Sequence, residues 1–193
     1  MLALVAAMVF GYRNRSMNKD ETRMPYSDKL LKERAILLGF PIDDQTAREV
    51  IARLLFLEKM ASNAPVTLYI NSPGGSVTAG LAIIETIESL KPEVRTCCIG
   101  QAHSIAAIIL AAGSAGRRSA VTNALIAFSE IRAGGELTPE KQAHLERMKA
   151  ALLDKTTNHT KMSLQQVSDL FASSRPLTPS EARSLGIIDF VSK

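Results

Sequence analysis

The chain has 193 residues, 46% of them apolar and 22% charged, and a formal net charge of +4 at pH 7. That length suits one domain with a sizeable core, and that balance excludes a disordered or collagen-like chain. The basic residues are scattered (Arg13, Arg15, Lys19 and Arg23, then Lys29, Lys32 and Arg34), which argues against a nucleic-acid surface.

Leu2–Phe10 is an unbroken apolar run followed by Gly11, Arg13 and Arg15. It is shorter than the roughly 20 residues a spanning helix needs, and its positive charge follows rather than precedes it, unlike a secretory signal. A propeptide, a buried or pore-lining arm, and a stretch upstream of a start at Met17 all remain open. We expect residues 1–25 to form a peripheral extension, with no membrane anchor, and residues 26–193 to form one domain.

Tyr26–Arg34 reads as a short helix running into a strand at Ala35–Leu38. Asp43-Asp44 offers an N-cap for a helix over about 44–61, where Ala47, Val50, Ile51, Leu54 and Leu55 recur at helical spacing. Val66–Ile70 is β-rich and ends in Asn-Ser-Pro-Gly-Gly, strong turn chemistry. A helix over about 76–91 stops before Pro92. Val94–Ile99 reads as a strand, Ser104–Ala112 as a buried apolar helix, and Ala124–Phe128 as another strand. Thr138-Pro139 starts a charged amphipathic helix over about 139–157. Two short helices and a strand at Ile187–Val191 close the chain. Such alternation predicts βαβ crossovers and a mainly parallel sheet. Cys97 and Cys98 are adjacent, so they are not expected to pair. No Cys/His spacing suits zinc, and they read as core thiols of a strand. No metal and no cofactor is expected.

Two segments carry chemistry. Gly74-Gly75 lets the backbone approach a substrate closely, and Ser104 at the start of a buried helix sits where developing negative charge is favoured. The N–H groups of Gly75 and Ile105 are candidate oxyanion donors. Taken singly, each piece has a plainer reading: Pro-Gly-Gly-Ser is often only a turn, and a serine before a helix is often only an N-cap.

Taken together they are specific. Tyr-Ser-x-x-Leu-Leu-Lys-Glu-Arg at 26–34, Asn-Ser-Pro-Gly-Gly at 71–75, Ile-Gly-Gln-Ala-x-Ser at 99–104, Leu-Ala-Ala-Gly at 110–113 and Glu-Ala-x-x-x-Gly-Ile-Ile-Asp at 181–189 stand in order. The chain from Tyr26 to Lys193 resembles Clp protease proteolytic subunits. The resemblance implies a crotonase-like α/β fold of βαβ units with a protruding helical arm. It also implies a ring of such subunits, peptide substrates fed by a partner ATPase, and a home in the cytoplasm or in an organelle matrix of bacterial origin. It puts the nucleophile on Ser104 and the oxyanion donors on Gly75 and Ile105.

The other triad positions depart. The family's histidine position falls on Ser129 and its acid position on Ser174. A hydroxyl cannot take a proton from Ser104 with useful driving force near neutral pH. His103 is expected on the helix with Ser104, pointing about 100° away. His144 and His159 read as solvated side chains of the arm, and Glu130 as facing the opposite side of the sheet from Ser129. Aromatic positions of the ATPase-docking cleft fall on Thr67, Ser89 and Ser119, while Tyr69 keeps its ring, so docking is expected to be weakened. The stretch between Gly135 and the long helix is shorter than the resemblance implies, which puts ring-on-ring contact in doubt. The leading reading is a catalytically impaired ring subunit that assembles with other proteolytic subunits. A serine peptidase with an unconventional base is the alternative. An acyl-CoA enzyme of crotonase type leaves Gln-Ala-His-Ser unexplained.

Overall fold

The computed structural model describes residues 25–131 and 138–192. The readings made above for Leu2–Phe10 and for the stretch just after Gly135 lie outside the described residues.

Helix α1 (Pro25–Lys32) leads into β1 (Ala35–Leu38), then α2 (Asp44–Met60), β2 (Val66–Ser72), α3 (Val77–Ser89), β3 (Val94–His103) and α4 (Ile105–Ala111). Strands β4 (Arg118–Val121) and β5 (Leu125–Ala127) follow. Then come α5 (Pro139–His159), α6 (Leu164–Ser173), β6 (Pro176–Leu177), α7 (Pro179–Ser184) and β7 (Phe190–Ser192). The sheet runs β1-β2-β3-β4-β7, with β5 on the far half of β3 and β6 on β5. Every pairing is parallel except β5 with β6.

The helices start where their caps stand. Asp43 accepts from the Thr46 N–H at 2.7 Å, and Ser76 and Thr138 cap α3 and α5 in the same way. In β2, Val66, Leu68, Ile70 and Ser72 are buried in strict alternation, so one face meets the α2, α3 and α4 layer. Helix α4 is buried on all sides; Ile108, Ile109 and Leu110 have no exposed surface, and each contributes roughly 2 kcal/mol by leaving water. Helix α5 is the protruding arm: from Pro139 to His144 every residue is exposed, and only Leu152 and Thr156 are buried.

Four local readings need correction. Strand β3 runs to His103 rather than stopping at Ile99, bending at a register shift where the Asn71 Oδ1 accepts from the Gln101 N–H at 3.2 Å. Strand β4 was not anticipated; Arg118, its first residue, reads as surface in sequence. Its guanidinium instead donates to both Asp189 oxygens and to the carbonyls of Ala111 and His159. The last strand starts only at Phe190. Ile187 and Gly186 close α7 in a Schellman turn, donating to Ala182 (2.9 Å) and Arg183 (3.0 Å), and both Ile187 and Ile188 enter the core. Of the two cysteines only Cys98 is buried, and burial pushes its thiol up to about 12; Cys97 is half-buried on the other face. No helix among the described residues is long and apolar enough to cross a membrane.

Candidate active site

The chain leaves β2 in a turn that requires glycine twice. Gly74 has φ +85° and Gly75 φ +150°. A Cβ on Gly74 would lie 2.6 Å from the His103 carbonyl oxygen, and one on Gly75 would lie 2.2 Å from the Ile42 carbonyl oxygen. The bare backbone therefore approaches Ser104 on one side and the 40–42 segment on the other. Ile42 brackets Gly75: its N–H donates to the Gly74 carbonyl (2.8 Å) and its carbonyl accepts from the Ser76 N–H (2.7 Å). That pairing skips the Gly75 N–H, which has no hydrogen-bond partner among the described residues. The Ser72 hydroxyl supports the turn, donating to the Phe40 carbonyl at 2.7 Å and accepting from the Gly74 N–H at 3.2 Å.

Ser104 joins β3 to α4 with φ +52° and ψ −123°. A side chain rarely adopts that conformation, which costs on the order of 1–3 kcal/mol and persists only when its surroundings enforce it. Here buried α4 follows immediately, and the Ser104 N–H donates to the Ala127 carbonyl at 2.8 Å. The hydroxyl makes no capping bond to α4, so the plain N-cap reading fails. A sharp strand-to-helix elbow of this kind presents a hydroxyl instead of occupying it. The next N–H, of Ile105, is the first of α4 and has no partner among the described residues. Gly80 fixes Ile105 from behind; a Cβ there would meet the Ile105 Cγ1 at 2.1 Å.

Ala127 links the chain segments that carry the candidate residues. Its carbonyl holds the Ser104 N–H, its strand pairs it with His103, and β6 pairs it with Pro176. Ser129 lies two residues beyond it, half-buried, and Ser174 lies two residues before Pro176. Ser174 is the left-handed C-cap of α6, with φ +48°, and its hydroxyl donates to the Phe171 carbonyl at 3.2 Å. The Phe171 ring packs 5.4 Å from that of Phe128, tying α6 to the end of β5. Sequence reading named Ser104, Ser129 and Ser174 but missed Ala127 and Ile42, which act through backbone atoms that no side-chain pattern reveals. Among the described residues, no side chain hydrogen-bonds the Ser104 or Ser129 hydroxyl.

A family model for Clp protease matches residues 18–193. The chain belongs to the Clp protease family. It is 41% identical over 172 residues to the ATP-dependent Clp protease proteolytic subunit 2 of Corynebacterium jeikeium, covering 86% of this chain and 82% of that protein. Proteins of this family form oligomeric rings with other Clp subunits.

Several neighbours of this candidate site stand differently from expectation. His103 ends a strand and is not on the helix, so the helical offset from Ser104 does not apply; its Nε2 is buried and unpartnered. Strand β5 stops at Ala127, so Glu130 is not a strand neighbour of Ser129 and lies exposed past the sheet. His144 is exposed as expected, but His159 is half-buried, its Nε2 2.7 Å from the Glu88 carboxylate that also takes Lys155 at 2.5 Å. Tyr69, Cys97, Ser119 and Phe190 align across β2, β3, β4 and β7. Among the described residues no cluster of three or more His, Cys, Asp or Glu side chains could hold a metal ion.

Proposed function

We propose that this Clp-family chain is a catalytically impaired ring subunit that keeps Ser104 as nucleophile, with Gly75 and Ile105 as oxyanion donors, and lacks the base and the acid. The observation that supports the reading is the absence of a titratable side chain at the two positions that the family resemblance assigns to base and acid. Those positions hold Ser129 and Ser174, and the Ser174 hydroxyl is already committed to the Phe171 carbonyl. Without a base, the serine alcohol stays protonated and attacks an acyl carbon slowly. What survives is the electrostatic part: two unpartnered N–H groups beside a strained serine, able to bind a carbonyl oxygen without reorganising.

The subunit works in a mixed ring beside active proteolytic subunits, in the cytoplasm. Its grip on an ATPase loop is weak, because small polar side chains stand at Thr67, Ser89 and Ser119, although Phe190, 43% exposed, pairs with Ser119 and places one ring beside it. The substrates of the assembly are peptides, and the subunit itself needs no cofactor.

A fluorophosphonate probe tests the core of the reading. The purified chain should label at Ser104 far more slowly than an active family member, with Ser104→Ala as blank. Labelling at an active enzyme's rate would overturn it. The second reading, a working peptidase with an unconventional base, draws on one observation: the buried, unpartnered Nε2 of His103, beside Ser104 in sequence. Under that reading labelling is fast and is lost in His103→Gln.

A further inference from the structure

His103 ends β3 half-exposed, yet the tip of its ring is turned inward: Nε2 is buried and has no hydrogen-bond partner among the described residues. A buried polar atom left unpaired costs stability, so it calls for a reason.

The strand pairing says what the ring can reach. Ile126 and Phe128 are both buried in the core, so the alternation carries on past the end of β5 and Ala127 and Ser129 take the other face. In β3, Ala102 is buried in the core and His103 takes that same other face. Parallel pairing sets His103 beside Ala127, which puts Ser129 on the diagonal from His103. With strands about 4.8 Å apart and a rise of about 3.3 Å per residue, the two α-carbons stand about 8 Å apart. An imidazole and a hydroxyl turned toward each other span that gap. Ser104 does not share the face. Its φ of +52° turns the chain out of the strand and into α4, so the side chains of His103 and Ser104 leave the backbone in different directions.

Resting on the reading that Ser129 stands at the base position beside Ser104, we propose that Ser129 relays the proton of Ser104 to His103, and that this relay carries the slow nucleophilic attack that remains. A hydroxyl is too weak a base to keep a proton, but it accepts one while releasing its own. As the Ser104 oxygen bonds the acyl carbon, its proton moves to the Ser129 oxygen and the Ser129 proton moves to Nε2. Collapse of the tetrahedral adduct returns the proton along the same path to the leaving amine. Attack by water then repeats the two steps and frees Ser104. Ser129 is the catalytic residue of this path, and His103 acts only through it. The path is slow because Nε2 is unpartnered in the free chain and meets the hydroxyl only when Ser129 rotates.

The test follows fluorophosphonate labelling of Ser104 in the full chain, a reaction in which the serine oxygen bonds phosphorus, fluoride leaves and the proton takes the same path. Ser104→Ala gives the blank. Ser129→Ala and His103→Gln should each label about 10-fold more slowly than the wild type. The double variant should also label about 10-fold more slowly, not about 100-fold, because both residues serve one path. Ser129→Thr, which keeps a hydroxyl, should recover most of the loss. Free imidazole should speed His103→Ala but not His103→Ala/Ser129→Ala. An unchanged rate in either single variant overturns the relay. So does multiplication of the two effects, and so does a loss in His103→Gln with none in Ser129→Ala, which would make His103 a direct base. Where circular dichroism shows a His103 variant unfolded, Ser129→Ala against Ser129→Thr decides, and equal rates overturn the relay. Labelling of the wild type at an active enzyme's rate overturns the impaired-subunit reading instead, while the ratios among variants still judge the relay.

Discussion

Restoring a base and an acid is the sharpest test of the proposed loss. Ser129→His places an imidazole two residues past Ala127, whose carbonyl is fixed 2.8 Å from the Ser104 N–H. Ser174→Asp keeps a residue type that tolerates the left-handed conformation found there, at φ +48°. It gives up one hydroxyl bond to the Phe171 carbonyl, worth about 1 kcal/mol. Complete triads exceed the oxyanion hole acting alone by several decades; at 1.36 kcal/mol per decade, a gain of about 10³ in kcat/KM asks for about 4 kcal/mol of transition-state stabilisation. That is our expected value for the double variant. Ser129→His alone should gain about a hundredfold less, because an imidazole without its carboxylate lacks the tautomer and orientation it needs. The assay is hydrolysis of a small fluorogenic peptide by the purified chain, with Ser104→Ala built into each background as blank. Less than a tenfold gain in a double variant with native circular dichroism, or a gain that survives Ser104→Ala, refutes the placement of these three residues in one site.

Gly75→Ala should cost about 3 kcal/mol, since its Cβ would lie 2.2 Å from backbone and its φ of +150° strains any side chain; thermal melting should fall by about 6–12 °C, and an unchanged melting temperature would show that the turn relaxes freely. Among the carboxyls that titrate low in the folded chain are Glu181, held at about 2 against an ordinary 4.5 chiefly by the Thr178 N–H and then by Arg175, and Asp189, lowered chiefly by the Arg118 guanidinium. Because folding depresses both, their stabilisation is complete above the ordinary carboxylate range and is lost in acid; that of Glu181 drains away as pH falls from 4.5 toward about 2, so acid unfolding of Glu181→Gln should show a shallower pH dependence there. Sedimentation velocity of the chain alone should show a single ring or a smaller oligomer, and a stable homogeneous double ring would refute the expectation, drawn from sequence alone, that a short stretch after Gly135 weakens contact between rings.

Much of this protein was legible in its sequence because local chemistry dictated it. Asp43, Ser76 and Thr138 cap helices wherever they stand, and the 3–4 spacing of Ala47, Val50 and Leu54 marks a buried face. Asn-Ser-Pro-Gly-Gly allows little but a turn, and the order of the motifs indicated the family. What stayed hidden was whatever depends on partners distant in the chain. Arg118 reads as a surface charge until Asp189 and two carbonyls surround it. Ile187 and Ile188 read as a strand until a Schellman turn draws them into the core. His159 reads as solvated until Glu88 arrives from α3. The site divides in the same way. The residue types at 104, 129 and 174 were legible in the sequence, but only the pairing of β5 with β3 and β6 set His103, Ala127 and Pro176 side by side. Only packing around α4 could hold Ser104 at a φ of +52°, because strain of that size needs a rigid surrounding that no local sequence supplies.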